Sequence, residues 1–115
     1  MALGLPTIGS YNVRSLFPKI KSFKIDIIER GVDVAFVSEV WEQKENQGHA
    51  LEIEKMLELN GLKYLSKSRP AKSRGGGVAL IVNQEKFSLQ NLDDVSVPRN
   101  VEAVWGLLRP KKCKY

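Results

Sequence analysis

The stretch that most constrains this chain is Gly31-Val32-Asp33-Val34-Ala35-Phe36-Val37-Ser38-Glu39-Val40-Trp41. From Val32 to Val37 it is almost uninterruptedly apolar, β-branched and aromatic, behind a glycine. That pattern predicts a short strand covered on both faces, as in a parallel sheet with helices packed on it. The run then delivers a carboxylate, Glu39, between Ser38 and Val40-Trp41. In open α/β sheets the ligand crevice lies at the carboxyl ends of the strands, which suits a strand-end Glu for chemistry. The plainer reading is that Glu39 opens a solvated loop, since Glu42 and Glu45 follow.

A strand of this kind needs partners, and the chain offers them on both sides. Thr7–Val13 reads as a first strand ending in Asn12-Val13-Arg14-Ser15, with Ser15 as a cap for the next helix. From Pro18 to Arg30, Ile20, Phe23 and Ile27 share one helical face, and Gly31 supplies the stop. After the polar stretch Glu42–Gly48, Ala50, Ile53 and Leu57 repeat at helical spacing from about His49 to Asn60, ending at Gly61. Strand, helix, strand, helix implies a crossover and parallel pairing of the first two strands. Beyond Gly61 strands dominate: Leu62–Ser66, a strong Val78–Val82 closed by Asn83, weaker Phe87–Leu92 and Val95–Val97, and a last strand Val101–Leu108 containing Trp105. There is no internal repeat, low-complexity segment or interior linker.

The 115 residues suit one domain at most, and 43% apolar with 27% charged residues is ordinary globular composition. No apolar run reaches the length of a membrane span and no secretory core opens the chain, so the expected setting is intracellular, nuclear or cytoplasmic, with no membrane partner. The single Cys113 excludes an internal disulfide and reads as an incidental thiol in a reducing compartment. With one histidine, His49, neither a His-rich metal site nor a structural zinc is expected. His49 falls near a helix start, where an exposed or capping role is the plain reading. The net charge is +5, and residues 66–90 hold five bases against one acid. The basic stretches are Lys67–Arg74 and a tail, 109–115, whose bases lie within Arg109–Lys114. Such clusters suit a phosphate backbone or simply a basic soluble surface.

Three pieces stand together as candidate chemistry: the strand ending at Asn12, the parallel strand ending at Glu39, and Ser73-Arg74-Gly75-Gly76-Gly77 leading into a buried strand. An amide beside a carboxylate is a sensible beginning for a Mg²⁺ site acting on phosphate, with Glu39 as hard oxygen ligand. The triple glycine fits neither a Walker loop nor a dinucleotide fingerprint, and its plain reading is a φ-permissive turn.

Tyr-Asn-Val-Arg-Ser-Leu at 11–16, Asp33-Val34 followed by Ser38-Glu39-Val40-Trp41, Arg74-Gly-Gly-Gly-Val-Ala-Leu-Ile-Val, and Val101-Glu102-Ala103-Val104-Trp105-Gly106-Leu107-Leu108-Arg109-Pro110 together resemble a known family. The chain is similar to the endonuclease/exonuclease/phosphatase superfamily, and within it to the apurinic-endonuclease-like domain of non-LTR retrotransposons. The resemblance runs from about Ile8 to Lys112. It implies an α/β fold, the first half of a four-layer α/β sandwich, in which one mixed β-sheet carries two helices on one face and a second sheet belongs opposite. It also implies Mg²⁺-dependent hydrolysis of phosphate esters, DNA as partner and nicking of DNA in the retrotransposon branch. On matching positions, Asn12 is the active-site amide and Glu39 the metal-binding carboxylate. Arg14 stands where some repair enzymes carry an Asp, and it joins Lys72 and Arg74 as candidate substrate-binding residues. Trp41 and Trp105 read as packing residues.

The family site also uses a later Tyr, a Gly-Asp-x-Asn segment, a further Asp and Ser-Asp-His, none of which occurs here. Tyr115 lies in the basic tail, and His49 lies in the wrong half. The expectation is therefore a partial domain over 1–115, without self-sufficient hydrolysis. Its partners would be DNA and a complementary C-terminal half or reverse-transcriptase region. The alternative is a non-catalytic basic module that binds nucleic acid or another protein.

Overall fold

The computed structural model describes residues 5–40, 47–67, 76–92 and 102–111. Strands β1 (Ile8–Asn12), β2 (Val34–Ser38), β3 (Leu62–Lys67) and β4 (Val78–Asn83) form one mixed sheet in the order β1-β2-β4-β3. β1 and β2 are parallel, as the intervening helix requires, while β4 runs antiparallel to both β2 and β3. Two further strands, β5 (Phe87–Asn91) and β6 (Gly106–Pro110), pair antiparallel as a separate two-stranded sheet. Helices α1 (Ile20–Arg30) and α2 (Gln47–Glu58) complete the elements.

Register sorts the mixed sheet into two faces. The residues in line across one face are Tyr11, Val37, Ala79 and Ser66, with Gly9, Ala35, Ile81 and Tyr64 beside them. This is the helix face: Ile20, Phe23 and Ile27 of α1 and Ile53 and Leu57 of α2 join Ala35, Val37, Leu62, Tyr64, Ala79 and Ile81 in one buried cluster. Each large aliphatic or aromatic side chain buried there contributes about 1.5–3 kcal/mol. The Tyr11 ring meets Phe23 edge-on, centroids 4.9 Å apart, and its hydroxyl reaches Asp26 Oδ2 at 3.4 Å. Burial first, and the Asp26 charge second, raise the Tyr11 pKa above its ordinary value.

α1 ends as its sequence predicts. Gly31 takes the left-handed conformation (φ 63°), and its N–H reaches the Ile27 and Ile28 carbonyls. Its beginning differs. Ser15 does not cap the helix, because it sits at φ 79° in the bend beside β2, and a 3₁₀ turn over Phe17–Lys19 precedes α1. Lys19 occupies the cap position without a side-chain cap bond.

Three strand expectations also change. β2 is not covered on both faces: Val34 is buried, but Phe36 on the same face is 48% exposed. The last strand begins at Gly106, five residues later than the apolar pattern suggests, which leaves Trp105 outside it and 51% exposed. Phe87 and Leu89 are half-buried in β5, away from the mixed sheet's ladder. Val95–Val97, Trp41 and Cys113 lie outside the described residues. No helix among the described residues is long and apolar enough to cross a membrane.

The opposite end of the sheet from Glu39 is held by Asp33, which is 3% exposed. Its Oδ2 accepts the Thr7 N–H (3.0 Å), its Oδ1 pairs with Lys86 Nζ (3.2 Å), and its carbonyl accepts the Asn83 N–H (2.8 Å). Burial alone would push this carboxyl up, but the Thr7 N–H, Lys86 and the Asn83 side chain together hold it below the ordinary value.

Candidate functional site

The carboxyl ends of β1 and β2 lie side by side because the strands are parallel and in register, Asn12 opposite Ser38. Both residues point to the face opposite the helices, since Tyr11 and Val37 occupy the helix face. Asn12 is exposed and Ser38 half-buried, with Ser38 Oγ donating to the Tyr11 carbonyl at 3.3 Å. Glu39 follows one residue beyond β2, half-buried.

Past the strand ends the two chains continue as a hydrogen-bonded pair. Val13 N–H reaches the Ser38 carbonyl at 3.1 Å, Ser15 N–H the Glu39 carbonyl at 2.9 Å, and Leu16 N–H the Val40 carbonyl at 3.0 Å. This zipper bends sharply, and its bend is made by residues that have a Cβ: Arg14 (φ 45°), Ser15 (φ 79°) and Glu39 (φ 55°). These are the non-glycine residues with positive φ among those described, and all lie at one corner of the sheet. Each such conformation costs about 1 kcal/mol or more and persists only where the surroundings impose it. Here the Lys19 ammonium helps impose it, donating to the carbonyls of Val13 (2.6 Å) and Arg14 (2.9 Å).

The third piece, the glycine-rich stretch, reaches the same corner. Gly76 (φ 71°) and Gly77 (φ 84°) lead into β4, and the Gly77 carbonyl accepts the Val40 N–H at 3.3 Å. The Gly77 N–H in turn donates to Glu102 Oε2 at 3.1 Å. Glu102 is the site-adjacent residue that sequence reasoning passed over. Its signal was a lone acid at the start of an apolar strand pattern, with nothing local to tie it to a glycine 25 positions earlier.

The corner therefore brings together Asn12, Arg14, Ser38, Glu39, the Gly76-Gly77 turn and Glu102. Arg14 is exposed on the bend. Lys72 and Arg74 lie outside the described residues. Beside the corner, a groove of about 450 Å³ runs over the open face of the sheet, bordered by Ser10, Phe36, Ser38, Leu80, Glu102 and Trp105.

No protein-family model matches the chain, and no curated protein matches it. A solved structure does: the 3′ phosphatase NExo from Neisseria, bound to a product DNA hairpin, aligns with a TM-score of 0.55 at 15% identity. The fold is similar to that of a DNA-bound phosphatase. The alignment covers 75% of this chain and 28% of the Neisseria phosphatase, so the chain spans well under half of that protein's length. At this identity the likeness to the Neisseria phosphatase concerns the fold alone. The mixed four-stranded sheet with two helices is consistent with the first half of an endonuclease/exonuclease/phosphatase-like α/β sandwich.

Among the described residues no group of three or more His, Cys, Asp or Glu side chains gathers where it could hold a metal ion. The donors at the corner are nonetheless hard oxygens, a Glu39 carboxylate and an Asn12 amide. Mg²⁺ is commonly held by one or two carboxylates, with waters and substrate phosphates filling its other positions. By donor chemistry, the residues present fit that ion as part of a site.

Proposed function

We propose that this chain forms the first half of a Mg²⁺-dependent phosphodiester hydrolase domain acting on DNA, of the non-LTR retrotransposon type, and that it does not hydrolyse DNA by itself. The observation that carries the reading is the strained corner itself. Asn12 ends β1, and Glu39 follows the last residue of its parallel neighbour β2, in a fold similar to that of a phosphatase bound to DNA. Backbone held in disfavoured conformations at a strand-end crevice is typical of functional sites.

In this reading Glu39 and Asn12 hold the ion, which when bound supplies Lewis-acid polarisation of a phosphoryl oxygen. Arg14, with Lys72 and Arg74, binds the phosphate backbone. Lys19 and the Gly77 carbonyl fix the two loops so that the oxygens keep one geometry. In this reading proton removal from an attacking water is supplied from elsewhere, because the Ser-Asp-His segment that the resemblance implies for it does not occur in this sequence. That group belongs to a complementary half or reverse-transcriptase region that completes the domain.

Two measurements test this. Titrating Mg²⁺ in the millimolar range should shift backbone NMR signals of Asn12 and Ser38–Val40, and Glu39→Ala should abolish the shift. Supercoiled plasmid incubated with the chain and Mg²⁺ should show no nicking above the Glu39→Ala control. Shifts that persist in Glu39→Ala overturn the metal site, and Glu39-dependent nicking overturns the inactivity. Salt-sensitive DNA binding indifferent to both Mg²⁺ and Glu39→Ala would favour the non-catalytic binding module instead.

A further inference from the structure

Glu39 keeps a backbone conformation that it would not hold by itself. With a φ of 55° its Cβ crowds its own chain, and such a state survives only where neighbours over-determine it. On the β1 side the constraint is the Ser15 N–H, bonded to the Glu39 carbonyl at 2.9 Å. On the β4 side it is the Val40 N–H, which donates to the Gly77 carbonyl at 3.3 Å. This second constraint is only as firm as Gly77 itself. Gly76 and Gly77 are consecutive glycines with φ of 71° and 84°, and glycine ranges over more backbone states than any other residue. Something has to select one state for the turn.

The Glu102 carboxylate does so. Its Oε2 accepts the Gly77 N–H at 3.1 Å, so both polar groups of Gly77 are engaged, the N–H by Glu102 and the carbonyl by Val40. Gly77 is buried, and a buried N–H that loses its acceptor is disfavoured, so the bond has a physical reason to persist. Glu102 is itself anchored. It stands four residues ahead of Gly106, where the two-stranded β5–β6 ribbon rests on the face of the mixed sheet opposite the helices. A Cβ on Gly106 would lie 2.6 Å from Leu89 Cδ1 and 3.3 Å from Leu80 Cδ1, and Leu80 belongs to that face. Ala103 and Val104, between Glu102 and the ribbon, are half-buried along the groove that Val78 and Leu80 border.

We infer that Glu102 is a positioning residue for Glu39. It sets the Gly76-Gly77 turn, the turn holds the Val40 N–H, and Val40 keeps Glu39 in its positive-φ bend at the corner shared with Asn12. Glu102 acts in this relay as a hydrogen-bond acceptor, neither as a second ion ligand nor as a source of charge. The seating of the ribbon thereby governs the geometry of a carboxylate that belongs to the sheet. The consequence for ion binding rests on the reading of Glu39 as the ion-holding carboxylate, whereas the backbone relay stands without it.

Two variants of the full chain test it. Glu102→Gln keeps a carbonyl oxygen for the Gly77 N–H, and Glu102→Ala removes it. Without metal, Glu102→Ala should speed amide exchange at Gly77 and Val40 about tenfold while leaving the Ile53 and Leu57 amides of α2 unchanged. It should also weaken the strong intraresidue amide–Hα NOE that a positive φ gives Glu39, and Glu102→Gln should match the native chain in both measurements. With Mg²⁺, the dissociation constant read from the Ser38–Val40 shifts should rise about tenfold in Glu102→Ala and stay near native in Glu102→Gln. Three results overturn the inference. The first is a Glu102→Ala chain whose Glu39 NOE and Gly77 and Val40 exchange match the native chain. The second is a Glu102→Gln chain as perturbed as Glu102→Ala, which makes charge the active property. The third is exchange at Ile53 and Leu57 that speeds as much as at Gly77, which makes Glu102 a general stabiliser. If the native chain itself shows no Mg²⁺ shifts, the metal reading fails, and the metal-free measurements still decide the relay.

Discussion

Removing the buried Asp33 carboxylate should destabilise the fold, and the size of the effect follows from its partners. Hydrogen bonds to a charged group are worth about 1.5–3 kcal/mol each, and the Thr7 N–H at 3.0 Å is one of these. Lys86 is 62% exposed, so its 3.2 Å pair adds no more than about 1 kcal/mol. The Asp33 backbone bonds to Thr7 and Asn83 survive substitution. Asp33→Ala should therefore cost about 2–4 kcal/mol, or roughly 8–16 °C in thermal midpoint for a domain of this size. Thermal and urea unfolding followed by circular dichroism measures it. The pH dependence has a definite sign. The folded pKa is lowered, so the stabilisation is present above the unfolded value of about 3.9 and is lost as pH falls through the folded value. The stability gap between the native chain and Asp33→Asn should thus be full at pH 7 and shrink below about pH 4. A cost under about 0.5 kcal/mol for Asp33→Ala, or a gap that does not shrink in acid, refutes the reasoning.

Two further predictions address the backbone. Glu39→Gly relieves a φ of 55° and should leave urea stability unchanged or raise it by up to about 1 kcal/mol, while eliminating the Mg²⁺-dependent NMR shifts. Gly31→Ala meets no atom within 4 Å, so its cost should come from φ 63° alone, about 1 kcal/mol in urea unfolding.

What the residues disclosed in advance were the features decided within one element. The Ile20, Phe23 and Ile27 stripe, the Gly31 stop, and the parallel pairing forced by a helix between β1 and β2 are all local or nearly so. What stayed hidden depended on distant chain. Ser15 has the chemistry of a cap, but the bond from its N–H to the Glu39 carbonyl turns it into part of a bend. Phe36 reads as core in any apolar run, and only the position of β5–β6 decides that it stays open. Trp105 likewise sits ahead of β6 because Gly106 is where the ribbon can close against Leu80 and Leu89. For the site, Asn12 and Glu39 were legible as strand-end residues, whereas Glu102 was not, since its link to Gly77 appears only in three dimensions. Lys72 and Arg74 are legible as charge alone.

The helix-side cluster draws every one of its buried members from Leu16 to Ile81. That layer can therefore assemble without any contribution from β5 or β6. A polypeptide cut short after β4 would keep every residue of the helical layer and lose the ribbon over the other face, leaving a β-surface of the kind that chaperones retain.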